Sequence, residues 1–259
     1  MKGRPVYSGT YASTSSRTTL QGQYDVIDYN TQPWFETEAN NPAYQGYTNT
    51  VFPTTGLTLL NASYYDNYDF DNNGSNDFTY DNVHLSGLPT LATTSTRGLP
   101  TGGTKLLLGS TTWLKSVVFY DQYDRPIQTQ SFNHLNSTTP DKNSIVYADL
   151  VHVAKTRSTH NGLSSVSVTQ TYTYDNQWRT TAIQHQINSN ASQTVATYEY
   201  NELGRLVDKK LHVNGSSYLQ SIDFRYNIHG WLLAINNSQL EDGIDVVPDH
   251  FGMELFYNT

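Results

Sequence analysis

Asp69, Asp71, Asn73, Gly74 and Asp77, in the run DFDNNGSND, set oxygen donors at alternate positions around a glycine. Hard cations such as Ca²⁺ favour oxygen ligands from a flexible loop, and these residues match the alternating ligand places of an EF-hand-type loop. The place of the closing bidentate glutamate is taken by Tyr80, and no flanking helix is evident. Clusters of Asx and Gly are equally the chemistry of a soluble hairpin tip. With the motif half complete, the hairpin tip takes precedence and calcium stays the lesser alternative.

Other chemistry is thinner. Of the 8 histidines, His152 and His160 lie eight apart and His134 precedes Asp141 by seven. None makes a metalloprotease spacing or sits beside a serine in a nucleophile elbow, so they read as hydrogen-bonding residues of strands and turns. Glu241-Asp242 and Asp121-Asp124 are carboxylate pairs that could in principle serve as a glycosidase's acid and base. The first pair sits in a polar loop and the second in a repeated turn, and both are better explained there. Trp34, Trp113, Trp178 and Trp231, among many Tyr and Asn, have faces that stack on sugars. Trp34 and Phe35, in TQPWFETEANN, lie outside any repeat, and a binding role stays open for them. With no cysteine in the chain, thiol catalysis, disulfides and Cys-ligated zinc are excluded.

The elements that position these residues come from a repeat. Four units align on a tyrosine: Tyr120-Asp121 with Arg125, Tyr174-Asp175 with Arg179, Tyr200-Asn201 with Gly204-Arg205, and Tyr226-Asn227 with Gly230-Trp231. Tyr174, Tyr200 and Tyr226 are spaced by 26 residues, and the gap of 54 before Tyr174 is close to two periods, so one degenerate unit is expected there. Ahead of Tyr174, Val166, Val168 and Tyr172 share one parity while Ser165, Ser167, Thr169, Thr171 and Thr173 share the other. That period of two is a strand with one buried face. Asp or Asn after the tyrosine closes an Asx-turn, and Gly204 or Gly230 supplies a positive φ. Asp124 and Trp178 stand where that glycine belongs. The arginine then opens the next strand, placed to pair with a carboxylate or stack on tyrosine. Leu206–Val213 is followed by Asn214-Gly215, a strong hairpin signal. Each unit is thus strand, turn, strand, turn, and the tandem product is a long antiparallel sheet that curls over its apolar face. The repeat tyrosines read as core.

Totals bound the functional classes. Charged residues are 15% of 259, the net charge is -8, and there are 20 Tyr. An acidic, Lys/Arg-poor chain is ill suited to nucleic acid or an anionic membrane surface. No apolar run reaches membrane-span length, and MKGRPVYSGTY lacks the apolar core of a signal peptide. Gly3-Arg4-Pro5 reads as the end of one repeat and Tyr257-Asn258 as the start of another, so the chain reads as a piece of something longer.

The units, YNELGRL at Tyr200–Leu206 above all, resemble RHS or YD-repeat (tyrosine-aspartate) proteins over residues 113–259. YNIHGWLLAIN followed by DHFGMELFYN resembles a stretch ahead of the associated core region in large bacterial surface proteins of this type. Gly3-Arg4-Pro5 and NASYYDNYDF are more loosely similar to the segment before the repeats. The resemblance implies a spiral β-shell that encloses a C-terminal toxin, or an adhesion-like surface scaffold, in an extracellular or cell-surface setting. It carries over no catalytic residue, and the aspartyl-protease activity attributed to some RHS cores lies beyond the last residue here.

Residues 1–112 are rich in Thr, Asn, Gly and Pro. They read as short strands and long loops without a helix, either a subdomain or the elaborated first part of the sheet. Leu88–Gly103 reads as an extended crossing or linker. The expectation is therefore an all-β, non-enzymatic scaffold that needs no cofactor. Its partners are the remaining repeats of a longer parent chain and an enclosed toxin. The alternative is a surface module that binds a glycan or protein through exposed aromatics such as Trp34.

Overall fold

A computed structural model describes residues 3–28, 30–240 and 249–257. The chain is all-β, as its alternating segments require. Among the described residues one antiparallel sheet of 14 strands runs in chain order. It comprises β1 (Tyr7–Tyr11), β2 (Leu57–Tyr65), β3 (Pro100–Leu106), β4 (Trp113–Tyr120), β5 (Pro126–Asn133), β6 (Asn136–Tyr147) and β7 (Val153–Asn161), followed by β8 (Ser165–Tyr174), β9 (Thr180–Ile187), β10 (Gln193–Tyr200), β11 (Leu206–Val213), β12 (Gln220–Tyr226), β13 (Leu232–Ile235) and β14 (Met253–Glu254). The sheet is open: β1 stands at one end of the order and β14 at the other.

A bulge marks the repeat. The register slips at Tyr65, Tyr120, Tyr174, Tyr200 and Tyr226, each the last residue of its strand. An inserted residue bends its strand and raises the local twist. β11 has the bounds expected from Leu206 to Val213, but the alternation expected in β8 fails at its start: Val166 is exposed and Ser167 is buried, where Arg157 and Asn188 hydrogen-bond it.

Two compact units divide the chain: residues 1–144 with 160–165, and residues 145–159 with 166–259. In the first, residues 66–98 fold over the β3–β5 surface. Tyr47 stacks on Tyr64 at 5.9 Å and Tyr64 on Phe70 at 4.3 Å, both nearly parallel. Phe78 meets Phe132, while Tyr68 and Tyr80 flank Phe119. Val117 and Ile127 are fully enclosed beneath them. Each such buried side chain stabilises by ~1.5–3 kcal/mol. Desolvation raises the phenol pKa of Tyr68 and Tyr80 to about 12.

Polar groups seal this core. Gln128 donates to the Asp81 carbonyl at 2.8 Å and to Ser144 Oγ at 2.9 Å, while its own Oε1 accepts from the Asp81 N–H at 3.0 Å. Gln130 donates to the Thr79 carbonyl and to Gln128. Both glutamines are buried. The Lys142 ammonium reaches Asp81 at 2.6 Å.

In the second unit, β-register puts Tyr172, Ile183, Ala196 and Leu211 in one row across four strands. The opposite face carries Thr197 and Lys210. Among the described residues its fully buried apolar side chains are Ala196 and Ala234, and the rest of the apolar row is half-buried.

Two expectations differ. A helix, α1 (Arg17–Asp25), occurs where none was read, with Ser16 capping the Thr19 N–H. It buries no residue, so no apolar periodicity announces it. Residues 88–103 are also more than a linker: Thr96 is buried, donating to the Asp66 carbonyl at 2.6 Å, and the segment runs directly into β3.

Candidate functional site

The residues singled out by the repeat form one turn, built the same way each time. The N–H after the tyrosine donates to the carbonyl four residues on: Asp121 to Arg125 at 3.0 Å, Asp175 to Arg179 at 3.0 Å, Asn201 to Arg205 at 2.9 Å and Asn227 to Trp231 at 2.9 Å. The Asx side chain then bends forward. Asp121 Oδ1 accepts the N–H groups of Tyr123 and Arg125, and Asp175 Oδ1 those of Gln177 and Arg179. Asn201 Oδ1 takes Leu203 and Arg205, and Asn227 Oδ1 takes Trp231. The fourth residue of the turn adopts positive φ throughout: Asp124 and Trp178 at 60°, Gly204 at 79° and Gly230 at 84°. The Asx brace therefore holds the left-handed residue even where glycine is absent.

The arginines complete the turn. Arg125 and Arg179 bond the second carboxylate oxygen of Asp121 and Asp175 through Nε at 2.8 and 2.6 Å. Burial alone would raise both carboxyls, but the guanidinium and the backbone N–H groups hold them below the usual range. Arg179 also lies over the ring of Tyr200 at 4.6 Å, and Arg205 over Tyr226 at 5.5 Å, so each arginine reaches the next repeat. The tyrosine hydroxyl reaches back: Tyr120 to the carbonyl of Pro100 at 2.6 Å, Tyr174 to Val153 at 2.8 Å, Tyr200 to Thr180 at 2.9 Å and Tyr257 to Leu232 at 2.8 Å. Tyr120 is buried, while Tyr174, Tyr200 and Tyr226 are half-buried.

Two further copies of this turn complete the series; the first is the degenerate unit expected in the gap of 54, and the second was not read from the sequence. Tyr147 divides the long gap into steps of 27 and 27, and Ala148 donates to the His152 carbonyl at 2.8 Å as the Asx residue does elsewhere. Its acceptor has moved one place on: Asp149 takes the N–H groups of Val151 and His152 and bonds His152 Nδ1 at 3.0 Å. His152 occupies the arginine place and stacks flat on Trp178 at 4.7 Å. The other copy is Tyr65-Asp66, whose turn is completed only by Gly98-Leu99. Asp66 donates to the Leu99 carbonyl at 3.1 Å, its carboxylate accepts the Gly98 N–H, and Gly98 has φ 93°. Arg4 pairs with Asp66 and lies 4.3 Å over Tyr65, whose hydroxyl donates to Pro5 at 3.0 Å. The intervening residues, the Asp-rich loop among them, are an insertion inside a repeat turn.

In that loop Asp69, Asp71 and Asp77 each bring a carboxylate oxygen within 4.8 Å of the others. Asp69 accepts the N–H groups of Asn73 and Gly74, and Asn73 accepts that of Ser75. Asp77 takes the Phe70 N–H at 2.7 Å and is paired with the Lys115 ammonium. The cluster thus has a cation of its own.

The remaining candidates are separate. His160 bonds Asp141 at 2.9 Å, with Asn161 and Asn133 donating to the same carboxylate. Asp121 is committed to Arg125, and Asp124 is the left-handed residue of that turn. Glu241 and Asp242 lie outside the described residues, as does Asn258. Trp34 is 67% exposed and lines a cleft in the first unit. Comparison with known proteins gives no matching family profile and no matching curated relative.

Proposed function

We propose that this chain is a non-enzymatic scaffold, a panel of a large secreted or cell-surface protein of the RHS/YD-repeat type whose repeats enclose or display an effector region. The observation that carries this reading is the recurrence of one turn, with its Asx brace and, in most copies, its reaching tyrosine hydroxyl. A catalytic centre need occur only once, whereas wall-building contacts recur with the wall. The same interactions return at each copy of the turn. Their tyrosines and arginines join neighbouring strands and repeats, which is the work of a load-distributing sheet.

An antibody raised against the chain, used to size the native product in fractions of the source cells, tests the proposal. A band far above 29.2 kDa in the secreted or outer-membrane fraction is the expected result. A product of 29.2 kDa confined to the cytosol overturns it. Within the scaffold reading the Asp69–Asp77 loop is folded by its own N–H donors and by Lys115. A chelator then leaves the melting temperature unchanged, and a fall restored by added Ca²⁺ reinstates the calcium alternative.

A further inference from the structure

The insertion within the Tyr65 turn is joined to the sheet by an ion pair whose acidic half is out of solvent. Lys115, in β4, is paired with Asp77, 38 residues away in the insertion, and the Asp77 side chain is only 8% exposed. Asp77 is held at three points. Its N–H donates to the Tyr68 carbonyl at 3.0 Å, its Oδ2 accepts the Phe70 N–H at 2.7 Å, and its Oδ1 faces the Lys115 ammonium. Phe70 and Phe78, both buried, adjoin Asp71 and Asp77 in the chain.

A second carboxylate stands beside the pair. Asp69, Asp71 and Asp77 bring carboxylate oxygens within 4.8 Å of one another. Asp69 is occupied by the N–H groups of Asn73 and Gly74. Asp71 is different: its Oδ1 is buried with no hydrogen-bond partner. Burying such an oxygen unbonded is costly, and a part in chemistry is one of the few reasons to keep it so.

We propose that Lys115 and Asp77 condense to an intramolecular isopeptide bond, with Asp71 relaying a proton, so that the insertion is covalently fastened to β4. The ion pair holds every proton the reaction needs. One proton passes from the ammonium to Asp77 Oδ1, leaving an amine and an acid. Nζ then attacks Cγ, and the oxygen that turns negative is Oδ2, under the Phe70 N–H. Asp71 carries the second proton from the nitrogen to the departing Oδ1 hydroxyl. One C–N bond forms, one C–O bond breaks and one water leaves; nothing is oxidised or reduced. A backbone N–H at the developing oxyanion and a carboxylate beside the reacting one are the aids that acyl transfer uses. Free amines and acids do not condense in water, but groups held in contact reach effective concentrations of ~10⁵–10⁸ M. The Lys115 side chain is 36% exposed, which gives the released water a way out. The link forms whatever the repeats enclose or display.

Intact-mass spectrometry of the denatured chain tests this, followed by tandem spectrometry of a digest with trypsin and chymotrypsin. The chain is expected one water lighter than its sequence. Trypsin then fails to cleave after the acylated Lys115, and that peptide is recovered joined to the one holding Asp77. Lys115→Ala and Asp71→Asn, shown folded by far-ultraviolet circular dichroism, are expected at the full mass of their sequences. Lys142→Ala, at the pair whose Asp81 is 26% exposed, stays one water short of its own. Full mass for the unmutated chain overturns the proposal, as does water loss without the joined peptide or water loss that persists in folded Lys115→Ala. Undiminished linkage in folded Asp71→Asn overturns the relay.

Discussion

Gly204 and Gly230 occupy the same place in successive turns, yet they meet the preceding repeat differently. A methyl group on Gly230 would fall 1.6 Å from an Arg205 guanidinium nitrogen, while on Gly204 the nearest atom, on Arg179, lies 3.4 Å away. Asp124 and Trp178 hold this place with side chains present, so the braced turn itself tolerates a Cβ. Gly204→Ala is therefore expected to cost under ~1 kcal/mol, and Gly230→Ala ~1–2 kcal/mol as Arg205 is driven from its seat. Urea midpoints at unchanged slope measure the difference. Equal losses would show that Arg205 contributes nothing to the turn. The braces also set the acid limit. Asp149, held by the His152 N–H above all, has its carboxyl lowered from 3.8 to about 2, and Asp121, Asp175 and Asp141 are lowered too. Between those values the unfolded chain binds more protons, so stability rises with pH there. The contribution is complete above 3.8 and lost as pH falls through about 2. A melting temperature that drops over this window, with a shallower drop in Asp149→Ala, is the expected titration.

Elements show why some of this architecture was legible and some was not. The Tyr-Asx turn is local: brace, left-handed residue and arginine lie within six residues, so Tyr120, Tyr174, Tyr200 and Tyr226 announce it. At Tyr147 the carboxylate moves one place and a histidine replaces the arginine, which defeats a pattern though not the geometry. At Tyr65 the halves of the turn, Asp66 and Gly98, are parted by the insertion, and no local signal joins them. Helix α1 is short and buries nothing, so it carries no periodic stripe. Gln128 and Gln130 alternate in β5 like solvent-facing residues, but they face the insertion and seal it. Replacing Gln128 by Ala strands the Asp81 N–H and carbonyl in a buried site, at ~2–3 kcal/mol. Thermal unfolding of Gln128→Ala against Gln122→Ala, a substitution at an exposed glutamine, measures this. Equal small effects would mean that the insertion is held by its aromatic contacts alone.

For the molecule as a whole, the consequence of repetition is that stability is carried between neighbours. Arg179 bonds Asp175 in its own turn, reaches the Asn201 carbonyl at 3.5 Å and covers Tyr200 in the next. Tyr200 in turn bonds the Thr180 carbonyl behind it. In a sheet whose strand order follows the sequence, such contacts couple adjacent units and leave distant ones to depend on their own packing. Arg179→Ala should therefore speed native-state amide exchange in β9–β11 and at the Asn201–Arg205 turn. Amides of β4 and β5, buried with Val117 and Ile127, keep their protection. Uniform acceleration across the sheet would mean a single cooperative block. Localised loss would mean that a unit can be added, degraded at Tyr147 or opened for an insertion at Tyr65 without rebuilding its neighbours.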